Sequence, residues 1–177
     1  YGIGIDNEGE LYTWGHTRIT DKIDVADIPD EVRSADLVQI AAGTDHVVAV
    51  DADGEVYVWG NAVKGEANVP ELSAKIVHIY GGRYHYTALL ENGDLVSWGN
   101  NKYGQIDVPA KAQDAKNIDK IFVSSYQNYA LASDGTMYTW GLKGFVLGTD
   151  NLGRDMLTRI VNGGQVTMTV GAISVVI

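Results

Sequence analysis

The sequence predicts an all-β protein built from stacked, repeated hairpins. An eight-residue pattern occurs four times, and in each copy a glycine stands five residues before a tryptophan while a second glycine directly follows it. The four tryptophans of the chain, one in each copy, are Trp14, Trp59, Trp98 and Trp140. They are 45, 39 and 42 residues apart. A regular period of this length is typical of repeat architectures, in which each copy forms one structural unit.

The second copy shows what one unit specifies. His46–Val50 is a short apolar run with β-branched residues, which favours a strand that is buried on both faces. Asp51–Gly54 has turn chemistry, and Glu55–Trp59 alternates as a second strand does, so together they predict a hairpin. A single hairpin is only marginally stable in water, so we expect a neighbouring copy to cover each tryptophan. A row of tryptophans stacking on a ligand is the alternative, but their fixed distance from the turn glycine favours a role in the repeat core.

The connections between copies are polar, and each carries one proline before the next apolar strand. Pro70 and Pro109 stand at the same distance from the preceding tryptophan, whereas Pro29 stands four positions further from Trp14. The first connection is therefore longer by these four positions. A proline at a constant position marks an edge or a connecting segment. Tyr1–Ile5 has the phase of the strand at His46–Val50 without a preceding strand, and no signal peptide precedes it, so we expect a fragment of a longer chain.

The repeated positions extend beyond the tryptophan hairpin. Gly-x-x-His-x-x-Ala-Val/Leu is followed by Asp/Asn-Gly-x-Val/Leu-x-x-Trp-Gly and, in the third copy, by Asn100–Gln105. This pattern resembles the regulator of chromosome condensation repeat over roughly residues 1–145, as about four repeats with the first and last incomplete. The resemblance implies a partial β-propeller of four-stranded antiparallel blades. The short period and the ending at Gly104–Pro109 are similar to bacterial members, including secreted β-lactamase inhibitory propellers.

The chain changes character after the fourth copy. Thr149 or Asp150 can begin a helix, on which Leu152, Met156 and Ile160 would share one face. The last part of the chain is uncharged and apolar.

Two structures are open for that apolar end. Val166–Ile177 is shorter than the roughly 20 apolar residues that a helix needs to span a bilayer, and we expect it to be the start of a transmembrane helix. As an alternative, residues 162–170 could add as a strand to an exposed sheet edge, because Val166, Met168 and Val170 alternate with threonines.

A nine-residue stretch before this end resembles a second family. The sequence Leu-Gly-Thr-Asp-x-Leu-Gly-Arg-Asp, with the apolar segment after it, is similar to the inner-membrane permease subunit of dipeptide, oligopeptide and nickel ABC importers. The motif residues are Leu147, Gly148, Thr149, Asp150, Leu152, Gly153, Arg154 and Asp155. In that family the motif lies outside the cytoplasmic membrane, just before the second transmembrane helix. The resemblance implies an extracytoplasmic propeller, residues 1–145, inserted in a permease to which residues 146–177 belong.

The charge of the chain excludes some functions. The net charge is −10, and residues 1–145 carry 21 acidic and 11 basic side chains, which argues against binding a nucleic-acid backbone. Without cysteine there is neither a disulfide framework nor thiolate chemistry. Ser124-Ser125 has no nucleophile-elbow pattern, and the acids of Asp24–Glu31 lack the spacing of a calcium loop. We therefore predict no catalytic residue, no metal site and no cofactor, and the protein is not expected to be an enzyme.

Histidines and tyrosines at repeated positions are the remaining candidates. His46 and His85 have the same phase and should lie on different blades, which favours backbone-bonded histidines over metal ligands. Exposed tyrosine near loop ends favours recognition, because it adds contact area at low entropic cost. The candidate recognition residues are Tyr84, Tyr86, Tyr103 and Tyr126. Packing between blades is the alternative for these four.

Together the resemblances imply an extracytoplasmic propeller domain of a peptide-type ABC transporter permease at the cell membrane. It would contribute to solute import by docking the solute-binding protein, with the other permease subunit as a further partner and the C-terminal helix in the membrane. Open blade edges also favour self-association. A secreted or surface protein-binding propeller of the inhibitor kind is the alternative. Nucleotide exchange or chromatin binding, as in the founder of the repeat family, is disfavoured by the acidic charge.

Overall fold

The computed structural model describes residues 1–144, Leu147, Arg154 and residues 156–165. The chain divides into two compact units, Tyr1–Gly141 and Leu142–Ile177. The first unit is mostly β-strand, which confirms the all-β prediction for the repeats. In the second unit, the described residues 156–165 are helical.

The strands of the first unit pair only with their neighbours along the chain, and every pairing is antiparallel. Blade 1 consists of β1 (Gly2–Ile5) and β2 (Leu11–Trp14), and a small hairpin of β3 (Arg18–Thr20) and β4 (Ile23–Asp24) follows it. Blade 2 consists of β5 (Leu37–Ala42), β6 (His46–Asp51) and β7 (Val56–Gly60). Blade 3 consists of β8 (Ile76–Gly81), β9 (His85–Leu90) and β10 (Leu95–Gly99). Blade 4 consists of β11 (Ile118–Val123), β12 (Gln127–Ala132) and β13 (Met137–Gly141).

The prediction of four-stranded blades is wrong for the described residues, since blades 2–4 have three strands each. In two connections a short helix stands after the proline, as α1 (Asp30–Arg33) after Pro29 and α2 (Ala110–Ala115) after Pro109. Proline has no backbone N–H to donate to a ladder, and its fixed φ suits the start of a helix. The connections therefore cover the blades with turns and single helical turns.

The core of the first unit lies between the blades. Successive residues of β6 belong to different clusters, because Val47 and Ala49 pack toward blade 1 whereas Val48 and Val50 pack toward blade 3. Every residue of β6 and β9 is buried, which confirms the prediction of strands covered on both faces. In β12 the residues alternate between buried and half-buried, since only one of its faces is covered by another described blade.

Three of the four tryptophans are buried between blades, as predicted. Trp98 is 3% exposed, and its indole N–H donates to the carbonyl oxygen of Glu66 at 2.9 Å. Trp59 donates in the same way to Val25 at 3.0 Å. The prediction is wrong for Trp14, which is 59% exposed because no described blade packs over it.

These indole hydrogen bonds locate the additional residues of the first connection. The acceptor Val25 stands four positions further from Trp14 than the acceptor Glu66 stands from Trp59. The insertion therefore precedes Val25, where the β3–β4 hairpin is found. The acceptor carbonyl keeps its place in the interface although the connection is longer.

Most of the C-terminal predictions lie outside the described residues. Of the permease motif, only Leu147 and Arg154 are described, and both are exposed. Residues 162–165 are helical, so the strand alternative is wrong for them, while residues 166–177 lie outside the described residues. Among the described residues, no helix is long and apolar enough to cross a membrane.

Candidate recognition surface

Three loops are joined side by side at one end of blades 2–4. They are the turns between the first and second strands of each blade, at residues 43–45, 82–84 and 124–126. The N–H of Thr44 donates to the carbonyl of Arg83 at 3.3 Å, and the N–H of Arg83 donates to the carbonyl of Ser125 at 3.0 Å. This row fixes the position of side chains on one loop relative to those on the next.

The glycine of the Gly-x-x-His pattern is required by the histidine ring. The N–H of Gly82 donates to the carbonyl of His85 at 2.8 Å, which folds the ring back over the glycine. A Cβ on Gly82 would lie 2.1 Å from the His85 imidazole and 2.8 Å from the carbonyl oxygen of Ser124, and a Cβ on Gly43 would lie 2.1 Å from the ring of His46. In blade 4 the equivalent positions are Ser124 and Gln127, so a residue with a side chain replaces the glycine where the histidine is absent.

His46 forms hydrogen bonds to the next blade with both ring nitrogens. Its Nε2 lies 3.2 Å from the carbonyl oxygen of Arg83, and its Nδ1 lies 2.5 Å from the hydroxyl of Tyr86. A carbonyl oxygen only accepts, so Nε2 carries the proton and the Tyr86 hydroxyl donates to Nδ1. Burial lowers the pKa of His46, although the Glu66 carboxylate 3.7 Å away favours the charged ring. His46 is therefore an uncharged side chain that links its blade to the next one by hydrogen bonds.

His85 repeats this arrangement one blade later. Its Nε2 lies 3.0 Å from the Oδ1 atom of Asn128, and the Asn128 amide donates to the carbonyl of Gln105 at 2.8 Å. Burial lowers the pKa of His85 to about 4. The two histidines thus contact blades 3 and 4 respectively, as their common phase predicts. The described residues contain no cluster of three or more side chains that could hold a metal ion.

Tyr86 is not a surface residue, so its assignment as a candidate recognition residue is wrong. Its side chain is fully buried, with the ring centroid 5.1 Å from that of His46 and 5.5 Å from that of Trp98. Tyr86 is the residue opposite Trp98 in the β9–β10 ladder, on the face that blade 2 covers. The alternative of packing between blades holds for this tyrosine.

The other three predicted tyrosines lie together with three cationic side chains. We define the aromatic–basic patch as the set Lys64, Arg83, Tyr84, Lys102, Tyr103 and Tyr126. The Lys64 ammonium lies 3.2 Å from the centroid of the Tyr84 ring, and the Lys102 ammonium lies 5.2 Å from that of Tyr103. The Arg83 guanidinium carbon lies 5.6 Å and 5.8 Å from the rings of Tyr84 and Tyr126. These separations are within the range of cation–π attraction.

The patch encloses a small pocket. Its volume is about 300 Å³, and its lining residues are Lys64, Tyr84, Asn100, Lys102, Tyr103 and Tyr126. None of these lining residues is acidic, in a repeat region where acids outnumber bases 21 to 11. The edge of one ring meets the face of the other in the pair Tyr103–Tyr126, whose centroids are 4.9 Å apart. The pocket is therefore a cationic, aromatic concavity on an acidic body.

Buried side chains hold the two loops that carry the patch lysines. The N–H of Lys64 donates to the Glu66 carboxylate at 2.6 Å, and the N–H of Tyr103 donates to the Gln105 amide oxygen at the same distance. Glu66 and Gln105 are both fully buried and both lie seven residues after a tryptophan. Their side chains tether the loops from below, so the patch is presented by a rigid scaffold.

The electrostatics of the patch favour a negatively charged ligand. A hydrogen bond to Arg83 lowers the pKa of the Tyr84 phenol, and a hydrogen bond to Lys64 acts in the same direction. The hydrogen bond to Tyr84 in turn raises the pKa of Arg83. The lowered pKa of Tyr84 reflects the positive charge of Arg83 and Lys64 near its phenol oxygen, and the raised pKa of Arg83 keeps the guanidinium charged.

The sequence contained a signal for the cations that our prediction missed. Lys64 and Tyr103 both lie five residues after a tryptophan, and Tyr84 and Tyr126 both directly precede the first residue of a middle strand. Members of each pair must therefore lie on adjacent blades at equivalent places. Comparing the phase of all charged residues, and not only of the tyrosines, would have found Lys64.

Two of the blades match a known repeat. Residues 37–66 and 76–105 match the family model described as Regulator of chromosome condensation (RCC1) repeat. Each match begins with the first strand of a blade and ends at the buried residue seven positions after its tryptophan. These two segments are RCC1-type repeats. Comparison with the curated proteins gave no match.

Several solved structures share the fold of this chain. Human WBSCR16 matches with a TM-score of 0.58 at 20% identity, over 86% of this chain and 48% of its own. Prp20p from Saccharomyces cerevisiae matches with a TM-score of 0.52 at 23% identity, over 88% of this chain and 44% of its own. The ectodomain of the Physcomitrella patens receptor kinase CR4 matches with a TM-score of 0.53 at 20% identity, over 62% of this chain and 30% of its own. The chain thus spans less than half of each of these structures, and its first unit has the fold of a partial β-propeller with RCC1-type repeats.

Proposed function

We propose that the RCC1-type blades form a non-catalytic docking domain of a peptide-type ABC importer permease, on the extracytoplasmic side of the cell membrane. In this proposal the domain binds the solute-binding protein and holds it near the permease, which residues 146–177 help to form. The observation that carries the docking role is the aromatic–basic patch. Tyrosine and arginine are enriched at the energetically dominant positions of protein interfaces, and the patch places both on a rigid scaffold.

The position of the domain is supported by the sequence alone. The motif that resembles the permease family begins at Leu147, a few residues after β13 ends at Gly141. No long Gly/Ser-rich linker separates them, so the domain would stay close to the outer mouth of the permease. The overall negative charge would keep it away from anionic headgroups and orient it in the field of the membrane surface.

The test compares the full permease with a variant that lacks the propeller. Residues 1–141 are removed so that the motif beginning at Leu147 stays joined to the first transmembrane helix. Both proteins are placed in nanodiscs with their partner subunit, and binding of the purified solute-binding protein and peptide uptake are measured. We expect weaker binding and slower uptake in the variant, while assembly of the permease is unchanged.

Two results would contradict the proposal. Unchanged association and uptake would leave the propeller as an independent surface-binding module, the alternative predicted from the repeats. Absence of residues 146–177 from an assembled permease complex would remove the transport role altogether. Arg154→Ala serves as a matched variant in the other half of the chain, because it should disturb the permease while the propeller stays folded.

A further inference from the structure

We infer that the pocket of the aromatic–basic patch binds an acidic peptide segment of the docked protein, with a carboxylate seated between Lys64, Lys102 and Tyr84. This inference rests on the proposed docking role and names the chemistry of the partner at that site. The charge arrangement is the first argument. A carboxylate that approaches most of this domain meets an excess of acids, but at the pocket it meets two lysines and the neighbouring Arg83.

The size of the pocket is the second argument. At about 300 Å³ it lies at the lower end of the range for small-molecule sites, which extends to about 1,000 Å³. It therefore holds one or two side chains of a segment that crosses it, and not a large cofactor. The recess is fixed in shape by the tethered loops at Lys64 and Tyr103, so the segment loses more freedom on binding than the site does.

The types of side chain are the third argument. Lysine and arginine form charge-assisted hydrogen bonds to carboxylates, and a phenol whose pKa is lowered is a better hydrogen-bond donor. The faces of Tyr103 and Tyr126 offer apolar area for the methylene groups of glutamate or for an adjacent aromatic residue. Acidic residues with interspersed aromatic or apolar residues therefore fit both parts of the patch.

A protein segment is favoured over a lipid surface. A membrane presents a flat array of anionic headgroups, and the ten excess negative charges of the chain would be repelled by it. The cations of the patch lie around one recess, which suits a single penetrating side chain. We therefore assign the site to a peptide and treat binding to anionic lipid as a result that would contradict the inference.

The experiment measures binding of a defined probe to the complete chain. A fluorescein-labelled decapeptide of alternating glutamate and tyrosine is titrated with the protein, and the matched probe has glutamine in place of every glutamate. The test variant is K64Q/K102Q, and the control variant is K22Q/K111Q, which changes the net charge equally at exposed lysines outside the pocket. Circular dichroism and thermal unfolding are used to check that both variants keep the fold.

We expect the glutamate probe to bind more tightly than the glutamine probe, with an affinity that falls as salt is added. K64Q/K102Q should weaken binding by about three- to tenfold, the size expected for two exposed charge pairs, whereas K22Q/K111Q should change it less than twofold.

Three results would overturn the inference. They are equal binding of both probes, equal weakening by both double variants, and binding to phosphatidylglycerol vesicles that depends on Lys64 and Lys102 without binding of the peptide. Its failure is distinguishable from failure of the docking role. If the solute-binding protein still associates with the K64Q/K102Q permease and the peptide does not compete, docking stands and another surface of the propeller mediates it.

Discussion

At the scale of single residues, a few positions determine how one blade meets the next. The glycine of the Gly-x-x-His turn, the histidine and the second residue of the next blade's middle strand form one contact, repeated at His46 and His85. In blade 4 both the glycine and the histidine of this turn are replaced, by Ser124 and Gln127. Because a Cβ at Gly82 would overlap the ring of His85, these two changes depend on each other.

This dependence predicts a specific coupling. Gly82→Ser alone should lower the free energy of unfolding by about 1–3 kcal/mol, since the histidine ring must be displaced from a packed interface. With His85→Gln present, the added Cβ would still meet the carbonyl oxygen of Ser124 at 2.8 Å but no imidazole ring. The same change should then cost less, giving a coupling energy above about 0.5 kcal/mol in a double-mutant cycle. Urea unfolding of the four proteins measures it. Additive effects would show that the ring does not require the glycine.

The pKa of His85 predicts a pH dependence. Its pKa is about 4 in the folded protein and 6.5 for an unperturbed histidine, so between pH 6.5 and pH 4 the unfolded chain binds a proton that the folded chain does not. Stability should therefore fall as the pH drops from about 6.5 to about 4, by at most about 1.4 kcal/mol per pH unit for this group. His46, whose pKa burial also lowers, adds to the loss in the same direction.

The measurement is thermal unfolding between pH 4 and pH 7.5. His85→Gln should flatten the dependence, because glutamine does not titrate and already occupies the equivalent position at Gln127. His78→Gln removes an exposed histidine from β8 and controls for the loss of a histidine as such. A profile of His85→Gln as steep as that of the wild type would show that other groups cause the acid sensitivity.

At the scale of elements, the carbonyl that accepts the indole hydrogen bond keeps the same place in the interface although the connections differ in length. Between Gly15 and Val25 the chain inserts the β3–β4 hairpin without moving this carbonyl away from Trp59. Beyond Val25 the connection has a structural role, because Val32 of α1 and Leu37 of β5 are both buried in the interface of blades 1 and 2.

The insertion should therefore be removable. Replacing residues 16–24 by the five residues found at 61–65 should lower the free energy of unfolding by less than about 1.5 kcal/mol, since the hairpin is mostly exposed. Deleting Pro29–Val32 removes the same net number of residues on the other side of Val25. This control should cost more than about 3 kcal/mol, because it removes a buried side chain and shifts β5. Tryptophan fluorescence during urea unfolding measures both, and equal losses would contradict the fixed role of Val25.

At the scale of the whole molecule, the tryptophan period predicted the β-repeats and their hairpins, and the apolar run of the second copy predicted the burial of β6. The number of strands per blade was not predictable, because a polar connection with a proline is compatible with either an edge strand or a helical turn. Sequence phase placed Tyr84, Tyr103 and Tyr126 correctly at loop ends but could not show that Tyr86 is buried. That fact depends on the face of β9 that blade 2 covers, and thus on the stacking of the blades.

The two outermost blades predict self-association. Trp14 and Tyr12 are exposed on blade 1, and Met137 is exposed on blade 4, so each presents apolar area of the kind that is buried between blades 2 and 3. Sedimentation velocity should detect dimers or larger assemblies of this chain at high micromolar concentration. Trp14→Ser should shift the distribution toward monomer, whereas Val63→Ser, at an exposed residue of a connection, should not. A wild-type monomer at that concentration would contradict this prediction.

The pocket exists only when blades 2, 3 and 4 are held together, as they are by the row of hydrogen bonds between their loops. No single repeat contains it, since Lys64, Tyr84 and Tyr126 come from three different connections or turns. In a linear array, neighbouring units can separate while each stays folded. A ligand in the pocket would then act as a clamp that resists such opening, and it would raise the unfolding temperature of all three blades together. Loss of one blade would abolish binding instead of reducing it by a third, so affinity for the ligand would report on the integrity of the array.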